Sequence, residues 1–197
     1  MKNYNQVKSL PPKELKGISQ KTIDIHWGKL YQGYVKKWQE IQEKLKQADK
    51  SLANATFSDL RELKTEETFS ADAVLLHEAY FDILGGGGKP KGDIAKAIAE
   101  DFDSFENWLE EFKALGLCTR GWVILVYDFN EGRLRNYLAD IHNQGGIWGT
   151  APILVLDVYE HAYFIDFGSD KKNYIETFFA NLNWQAINQR YLKAIKK

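Results

Sequence analysis

A glycine-rich segment at residues 85–92, GGGGKPKG, divides this chain into two parts with different hydrophobic patterns. Before it, apolar residues recur every three or four positions, which indicates amphipathic helices. Beyond it, two short helical patterns lead into runs of β-branched and aromatic residues, which indicate strands. The order of helices, three strands and then helices predicts an α+β protein, with a boundary that divides residues 1–88 from residues 89–197.

Two long helices are predicted before the glycine-rich segment. The first covers residues 21–48, and the second begins at Ser70 as its N-cap and ends at Gly85. Joined through residues 49–69, they would form an antiparallel hairpin in which each helix presents a histidine inward. One stripe is predicted on each helix: His26, Leu30, Tyr34, Lys37, Ile41 and Leu45 on the first, and Val74, His77, Phe81 and Leu84 on the second.

The second part is predicted to be a three-stranded antiparallel sheet flanked by helices. Ser104 would cap a helix that Gly116 stops, and a turn at residues 130–132 would join the first two strands. The predicted helices cover residues 94–102, 104–115, 174–181 and 184–195, and the predicted strands cover residues 122–129, 134–141 and 152–158. Residues 85–92 are interpreted as a loop, because no Ser or Thr follows a Gly-Lys pair as phosphate-binding loops require.

Composition excludes several classes of protein. The net charge of −1 argues against general binding to nucleic acids or anionic membranes, which requires a basic surface. No apolar run approaches the ~20 residues of a membrane span, and residues 1–19 are expected to form a polar extended arm broken at Pro11-Pro12. The single cysteine, Cys118, suits a reducing compartment and is expected to be a small buried apolar residue. We therefore expect a soluble cytoplasmic protein.

The chemistry of the chain is concentrated in its four histidines, His26, His77, His142 and His161. Asp157 ends an apolar run and precedes His161 by four residues, so both side chains can point at one atom. Neutral imidazole and carboxylate are the usual ligands of iron, manganese and zinc. His26, His77, Asp157 and His161 would leave a fifth position open for solvent or substrate.

The alternative for each helical histidine is a core residue with satisfied hydrogen bonds. Asp157 argues against this alternative, because an unpaired carboxylate at the end of an apolar strand is costly to bury without a cation or a donor. No cysteine joins the set, which argues against a structural zinc site or an iron–sulfur cluster. These residues therefore predict a metal site between the two parts of the chain.

Residues 157–164, DVYEHAYF, resemble the C-terminal signature of the iron/manganese superoxide dismutases. Three further stretches resemble the same family in the same order: His26 followed by Tyr34-Val35, the histidine of LLHEAYF, and NLNW at residues 181–184. Gly121-Trp122 and the glycine-rich segment also fit. The resemblance implies disproportionation of superoxide, with one iron or manganese ion per subunit bound by His26, His77, Asp157 and His161. It leaves the choice between the two metals open.

The resemblance also implies roles around the metal. Tyr34 would be a gateway hydroxyl, with a plain core tyrosine as the alternative, and Trp122 would form a wall of the pocket. His142 would be the outer-sphere residue that donates a hydrogen bond to metal-bound solvent, as in the branch of the family with histidine there, and Ala73 would leave room for it. Gln144 is the competing assignment.

Further residues are implied to act at the surface. Lys171 stands where the family usually has an arginine near the substrate funnel. Glu160 resembles the glutamate that crosses a two-fold interface to His161 of the other subunit, with a solvated side chain as the alternative, and Tyr163 matches a tyrosine at that interface. The expected assembly is a homodimer or a tetramer, and no nucleic-acid or membrane partner is expected.

The chain departs from the family pattern at several positions. Leu30 replaces a histidine that would reach the partner subunit's Tyr163, and Tyr159 replaces a tryptophan beside the ligands. The arm also lacks a tyrosine-rich segment. These departures leave two alternatives to an active dismutase: a weak or inactive metal-binding family member that acts as a scaffold or interaction protein, and a different mononuclear iron enzyme.

Overall fold

The computed structural model describes residues 4, 6–8 and 14–196 of the 197-residue chain. Its first part is a helical hairpin. One continuous rod consists of helix α1 (Gln20–Ile25), a π-helical turn (His26–Tyr31) and helix α2 (Gln32–Gln47). A short 3-10 turn (Lys50–Leu52) then leads to helix α3 (Asp59–Asp82), which packs against α2. The predicted N-terminal hairpin is therefore confirmed.

The π-helical turn changes which residues of the first rod are buried. A π turn holds more residues than the 3.6 of an α-helix, so the side chains that follow it are rotated relative to a regular helix. Tyr31 and Val35 are buried, whereas Lys37, which the four-residue spacing put on the inner stripe, is exposed. The predicted stripe is thus wrong at Lys37, whereas Leu30, Tyr34 and Leu45 are partly buried and Ile41 is buried as expected.

The N-cap of helix α3 lies twelve residues before the predicted cap at Ser70. Its N-cap is Ser58, whose hydroxyl oxygen accepts the backbone N–H of Arg61, and Asp59 and Glu62 lie in the first turn where the helix dipole favours negative charge. Ser70 instead lies buried inside the helix. The polar first half of α3 shows no inward apolar stripe, which is why the hydrophobic pattern did not predict it.

The second part contains the predicted three-stranded antiparallel sheet of β1 (Trp122–Asp128), β2 (Arg133–Ala139) and β3 (Thr150–Asp157), in the order β2-β1-β3. The register of β1 against β3 shifts between the pairs Leu125–Leu154 and Val126–Pro152, so Ile153 is the extra residue of a bulge next to Pro152, which lacks an N–H for the ladder. The helices are α4 (Asp93–Asp101), α5 (Phe105–Cys118), α6 (Glu160–Phe167), α7 (Lys171–Ala180) and α8 (Trp184–Ala194). The predicted fold class, α+β with this sheet, is confirmed.

Two local expectations are wrong in the second part, and one helix was missed. Gly116 does not stop α5, which continues to Cys118; a side chain at Gly116 would meet Ile175 on α7. Helix α6 had not been predicted as a helix. Cys118 is exposed rather than buried, because it lies at the end of α5 on the side that faces solvent.

Backbone contacts connect the glycine-rich loop and the arm to the C-terminal helices. The N–H groups of Gly86 and Gly88 donate to the carbonyl oxygens of Asn181 and Leu182. The Asn181 side chain bonds both backbone polar groups of Lys16. The predicted break at Pro11-Pro12 lies outside the described residues. Within the described part of the chain, every helix is too short or too polar to cross a membrane.

Candidate metal centre

Four potential ligands from four elements meet between the helical hairpin and the sheet. His26 begins the π-helical turn, His77 lies on α3, Asp157 ends β3, and His161 lies in the first turn of α6. One nitrogen or oxygen atom of each lies within 4.8 Å of those of the other three. Residues separated by up to 135 positions in sequence therefore form a single cluster, as the sequence analysis expected.

The cluster is centred on one carboxylate oxygen. Asp157 Oδ2 lies 3.0 Å from His26 Nε2, 3.2 Å from His161 Nε2 and 3.8 Å from His77 Nε2. The side chains of His26, His77 and Asp157 are fully buried, while that of His161 is 26% exposed. The cluster is thus closed to solvent except at His161.

The hydrogen bonds of His77 show which of its nitrogens is available to a metal. Nδ1 lies 2.7 Å from the carbonyl oxygen of Ala73, and since a carbonyl only accepts, the proton is on Nδ1. Nε2 then carries a lone pair, and within the described chain it has no hydrogen-bond partner. A buried unpaired acceptor facing a carboxylate is unfavourable unless a cation lies between them, so the donor set fits a metal ion.

The electrostatics of the cluster favour the protonation states that metal ligands need. Burial lowers the pKa of both His26 and His77, which keeps the imidazoles neutral. Burial alone would raise the pKa of Asp157, but the neighbouring His161 and His26 lower it well below its usual range. His161 is the exception: burial alone would lower its pKa, but the charge of Asp157 raises it, so a metal ion would displace any proton that His161 carries, whereas His26 and His77 are already neutral.

Two hydrogen bonds hold Asp157 in its orientation. The backbone N–H of Tyr159 donates to Oδ1 (2.9 Å), which leaves Oδ2 to face the three histidines. The buried hydroxyl of Tyr174 donates to the Asp157 backbone carbonyl (2.7 Å) and so anchors the end of β3. Such outer contacts determine how well a ligand set is preorganised. Tyr174 was not identified from the sequence, because a tyrosine on an apolar helix face looks like an ordinary core residue.

His142, Trp122 and Tyr34 form a hydrogen-bonded chain beside the cluster. Trp122 Nε1–H donates to His142 Nδ1 (2.9 Å), and His142 Nε2 lies 2.9 Å from the hydroxyl oxygen of Tyr34. Indole N–H is only a donor, so Nδ1 is the acceptor and the proton of the neutral ring is on Nε2. Burial lowers the His142 pKa to about 4, which keeps the ring neutral near pH 7.

Both nitrogens of His142 are therefore engaged by protein groups. The family resemblance implies that His142 donates a hydrogen bond to metal-bound solvent, but its single N–H points to Tyr34. The competing residue, Gln144, is exposed and lines an outer cleft. Phe69, whose ring lies 4.5 Å from that of His142, completes the wall and was missed because it lies in the unpredicted first half of α3.

Tyr159 occupies the space beside His161. Its ring stacks on the imidazole at 5.3 Å with an interplanar angle of 14°, and its hydroxyl donates to the carbonyl oxygen of Asp140. Burial raises the Tyr159 pKa to about 12, so the phenol stays protonated. The residue that departs from the expected tryptophan thus still provides a flat aromatic wall.

An open cleft of about 750 Å³ reaches the exposed edge of His161. Glu160, Tyr163 and Lys171, the residues predicted to act at the surface, all line it. The Lys171 ammonium donates to the carbonyl oxygen of Thr119 at the end of α5. Arg120 also lines the cleft and pairs with Asp140 at 3.0 Å, and this second cation had not been predicted.

Comparison with known proteins gives consistent matches along most of the chain. Residues 6–85 match the α-hairpin domain of the iron/manganese superoxide dismutases, and residues 90–190 match their C-terminal domain. An iron superoxide dismutase of Aquifex aeolicus is 44% identical over 95% of this chain and 90% of its own length. That of Cupriavidus metallidurans is 39% identical, with 94% of each chain covered. A manganese superoxide dismutase of Halobacterium salinarum is 34% identical over 91% of this chain and 90% of its own.

Proposed function

This chain belongs to the iron/manganese superoxide dismutase family, and we propose that it disproportionates superoxide at one ion held by His26, His77, Asp157 and His161. The observation that carries the proposal is the convergence of three imidazole nitrogens on a single buried carboxylate oxygen. Similar relatives are named as iron enzymes and as manganese enzymes, so either metal is a candidate cofactor.

When held by His26, His77, Asp157 and His161, an iron or manganese ion would supply one-electron exchange, by which one superoxide would be oxidised to oxygen and a second would be reduced, with two protons, to hydrogen peroxide. The protein residues provide the binding geometry and the proton supply. Aromatic rings exclude water from the buried ligands; His77 packs edge-on against Trp122, and His26 against Phe81.

Tyr34 is the residue best suited to deliver a proton. Because His142 Nε2–H donates to the Tyr34 oxygen, the hydrogen of the Tyr34 hydroxyl is not used in that contact. Its ring lies 5.4 Å from that of His77, so the hydroxyl is beside the ligands. Burial raises the Tyr34 pKa, which keeps the hydroxyl protonated at neutral pH. In this proposal His142 orients Tyr34 rather than acting on solvent directly.

The open cleft beside His161 is the proposed route for superoxide. Lys171 and Arg120 contribute positive charge at its wall, opposed by Asp140 and Glu160. Cations near a funnel raise the local concentration of an anionic substrate in a manner that added salt weakens. We expect steering to be modest, since Arg120 is neutralised by Asp140 and the Lys171 ammonium is held by a carbonyl.

Substitution of Asp157 tests the function, with Asp128 as a matched control. Both are buried aspartates at strand ends, at opposite ends of the sheet. Asp157→Asn should lose the bound metal and the metal-dependent decay of superoxide, whereas Asp128→Asn should keep both. Metal content and stopped-flow decay would be measured on iron-loaded and manganese-loaded protein against equal free metal. A fully loaded wild type that is no faster than free metal would overturn the proposal.

We further propose a homodimer in which Glu160 of one subunit contacts the partner subunit's His161. Glu160 is exposed and lies next to the single partly exposed ligand, which supports this assembly.

We also propose a cytoplasmic location, because an exposed free thiol at Cys118 persists in a reducing compartment, and cell fractionation would test it. The division into residues 1–88 and 89–197 remains a proposal.

A further inference from the structure

A buried carboxylate that is not part of the ligand set lies directly beside it. Glu78 follows His77 on α3, and its side chain is only 6% exposed. Burying a carboxylate costs free energy unless donors or a cation compensate it. The compensating groups of Glu78 come from two other parts of the chain, the π-helical turn and the N-terminal arm.

The two oxygens of Glu78 have different partners. The hydroxyl of Tyr31 donates to Oε1 (3.1 Å), and the ammonium of Lys8 lies 2.7 Å from Oε2. The backbone N–H of Lys8 also donates to the Tyr31 hydroxyl oxygen (3.0 Å). Lys8, Tyr31 and Glu78, here called the Glu78 cluster, therefore close a ring of three contacts in which each residue touches the other two.

The Glu78 cluster joins the two segments that carry ligands from the hairpin. Tyr31 is the last residue of the π-helical turn that His26 begins, and Glu78 is adjacent to His77. The Tyr31 ring also faces that of His77, with centroids 6.4 Å apart and the two planes inclined by 29°. A π turn breaks the regular hydrogen-bond register of a helix, so an external contact at its end limits how the turn can shift.

We propose that Glu78 is a positioning residue for the metal site, which acts through Tyr31 and Lys8 to set the distance between His26 and His77. This inference rests on the proposed function, since it assumes that these two histidines bind the metal. Contacts behind metal ligands typically change metal affinity by about 10- to 100-fold. The Glu78 cluster is such a contact, shared between two ligands, with the arm providing its cation.

Four variants of the full chain test the proposal. Tyr31→Phe removes one oxygen, Glu78→Gln removes the charge but keeps an acceptor for Tyr31, and Lys8→Met removes the cation. The control is Glu67→Gln, a partly buried carboxylate near the middle of α3 that accepts from Gln42 on α2 and pairs with Lys64, away from the Glu78 cluster. The measurements are the rate of manganese loss to excess EDTA, the optical spectrum of the manganese(III) form, and the melting temperature of the metal-free protein.

Tyr31→Phe and Glu78→Gln should accelerate manganese loss by about tenfold and shift the spectrum, while Glu67→Gln should change neither. Lys8→Met should have a smaller effect in the same direction, because its side chain is 47% exposed. If the variants only lower the melting temperature and leave the rate of manganese loss and the spectrum unchanged, Glu78 has a structural role and the proposal is wrong. If Glu78→Gln does not fold, the rate of manganese loss and the spectrum of Tyr31→Phe test the proposal on their own. Failure of wild-type protein to bind manganese would instead overturn the proposed function.

Discussion

At the scale of single residues, the hydrogen-bond partners of a side chain determine its role at this site more than its residue type does. His77 and His142 are both buried histidines near the same carboxylate. His77 gives its one proton to a carbonyl oxygen and keeps a free lone pair toward Asp157. His142 has its lone pair taken by Trp122 and its proton directed to Tyr34. The same side chain thus serves as a candidate ligand in one position and as an orienting group in the other.

Tyr34→Phe should leave metal binding intact and lower turnover. The substitution removes the proposed proton donor, and general acid catalysis commonly contributes about 100-fold or more, although water can replace part of it. We expect the maximal rate of superoxide decay to fall by about 10- to 100-fold, with the second-order rate at low superoxide less affected. The substitution also leaves His142 Nε2–H without its acceptor, which should cost about 1–3 kcal/mol of unfolding free energy.

The matched control for this experiment is Tyr137→Phe. Tyr137 donates its hydroxyl to Asp128, far from the cluster, so its loss removes a comparable hydrogen bond without touching the site. Stopped-flow traces over a range of superoxide concentrations, together with metal content, would separate the two effects. Equal rates for the two variants would contradict the role given to Tyr34.

At the scale of elements, close backbone packing decides where the two parts of the chain meet. In the loop before α4, Gly86 and Gly87 are neighbours with opposite surroundings. A Cβ added at Gly86 would lie 2.3 Å from the carbonyl oxygen of Leu182, whereas one at Gly87 would meet nothing within 4 Å. The Gly86 N–H also donates to the carbonyl oxygen of Asn181. The loop is therefore held against the end of α7 and the segment that follows it at Gly86 and at Gly88, while Gly87 between them faces open space.

Gly86→Ala should destabilise the protein, and Gly87→Ala should be nearly neutral. The Cβ at position 86 forces backbone atoms apart, and overpacking of this kind costs about 1–3 kcal/mol. An alanine at position 87 meets open space, where surface substitutions stay within about 0.5 kcal/mol. Urea denaturation of both variants would measure the difference in unfolding free energy. A Gly86→Ala variant as stable as the wild type would show that the loop can move away from Leu182.

At the scale of the whole molecule, the candidate site lies near the surface on one side. Three ligands are fully buried, but His161 borders a cleft whose wall includes Glu160, Tyr163 and Lys171. In the proposed homodimer, a second copy docked at Glu160 and Tyr163 would cover the exposed edge of His161 and leave the Lys171 side of the cleft open as the route for superoxide. The proposed homodimer thus connects assembly to the metal site.

Glu160→Gln should weaken the dimer and destabilise metal binding at the same time. Loss of one partner from a buried charged contact costs about 2–5 kcal/mol, so the dissociation constant should rise at least about 10-fold. Light scattering across a dilution series, with metal content measured in parallel, would test this. Glu176→Gln, an exposed carboxylate paired with Lys113, is the control. A monomeric wild type would contradict the assembly.

Local patterns in the sequence predicted much of this protein. The α+β class, the three strands and the helical hairpin follow from the spacing of apolar residues. The four candidate ligands could be chosen because histidine is rare in this chain and a carboxylate at the end of an apolar strand requires a partner. Both kinds of inference need only neighbouring residues and elementary chemistry.

Other features depend on contacts between distant segments, and only the tertiary structure decided them. Tyr31, at the end of the π-helical turn, and Val35, just after it, are buried although both lie off the predicted four-residue stripe, and the period of the sequence carries no sign of this. The direction of the His142 proton depends on Trp122 and Tyr34, which lie 20 and 108 residues away. The spacing of hydrophobic residues is a local property of the sequence, whereas the partner of a buried polar group depends on the whole folded chain.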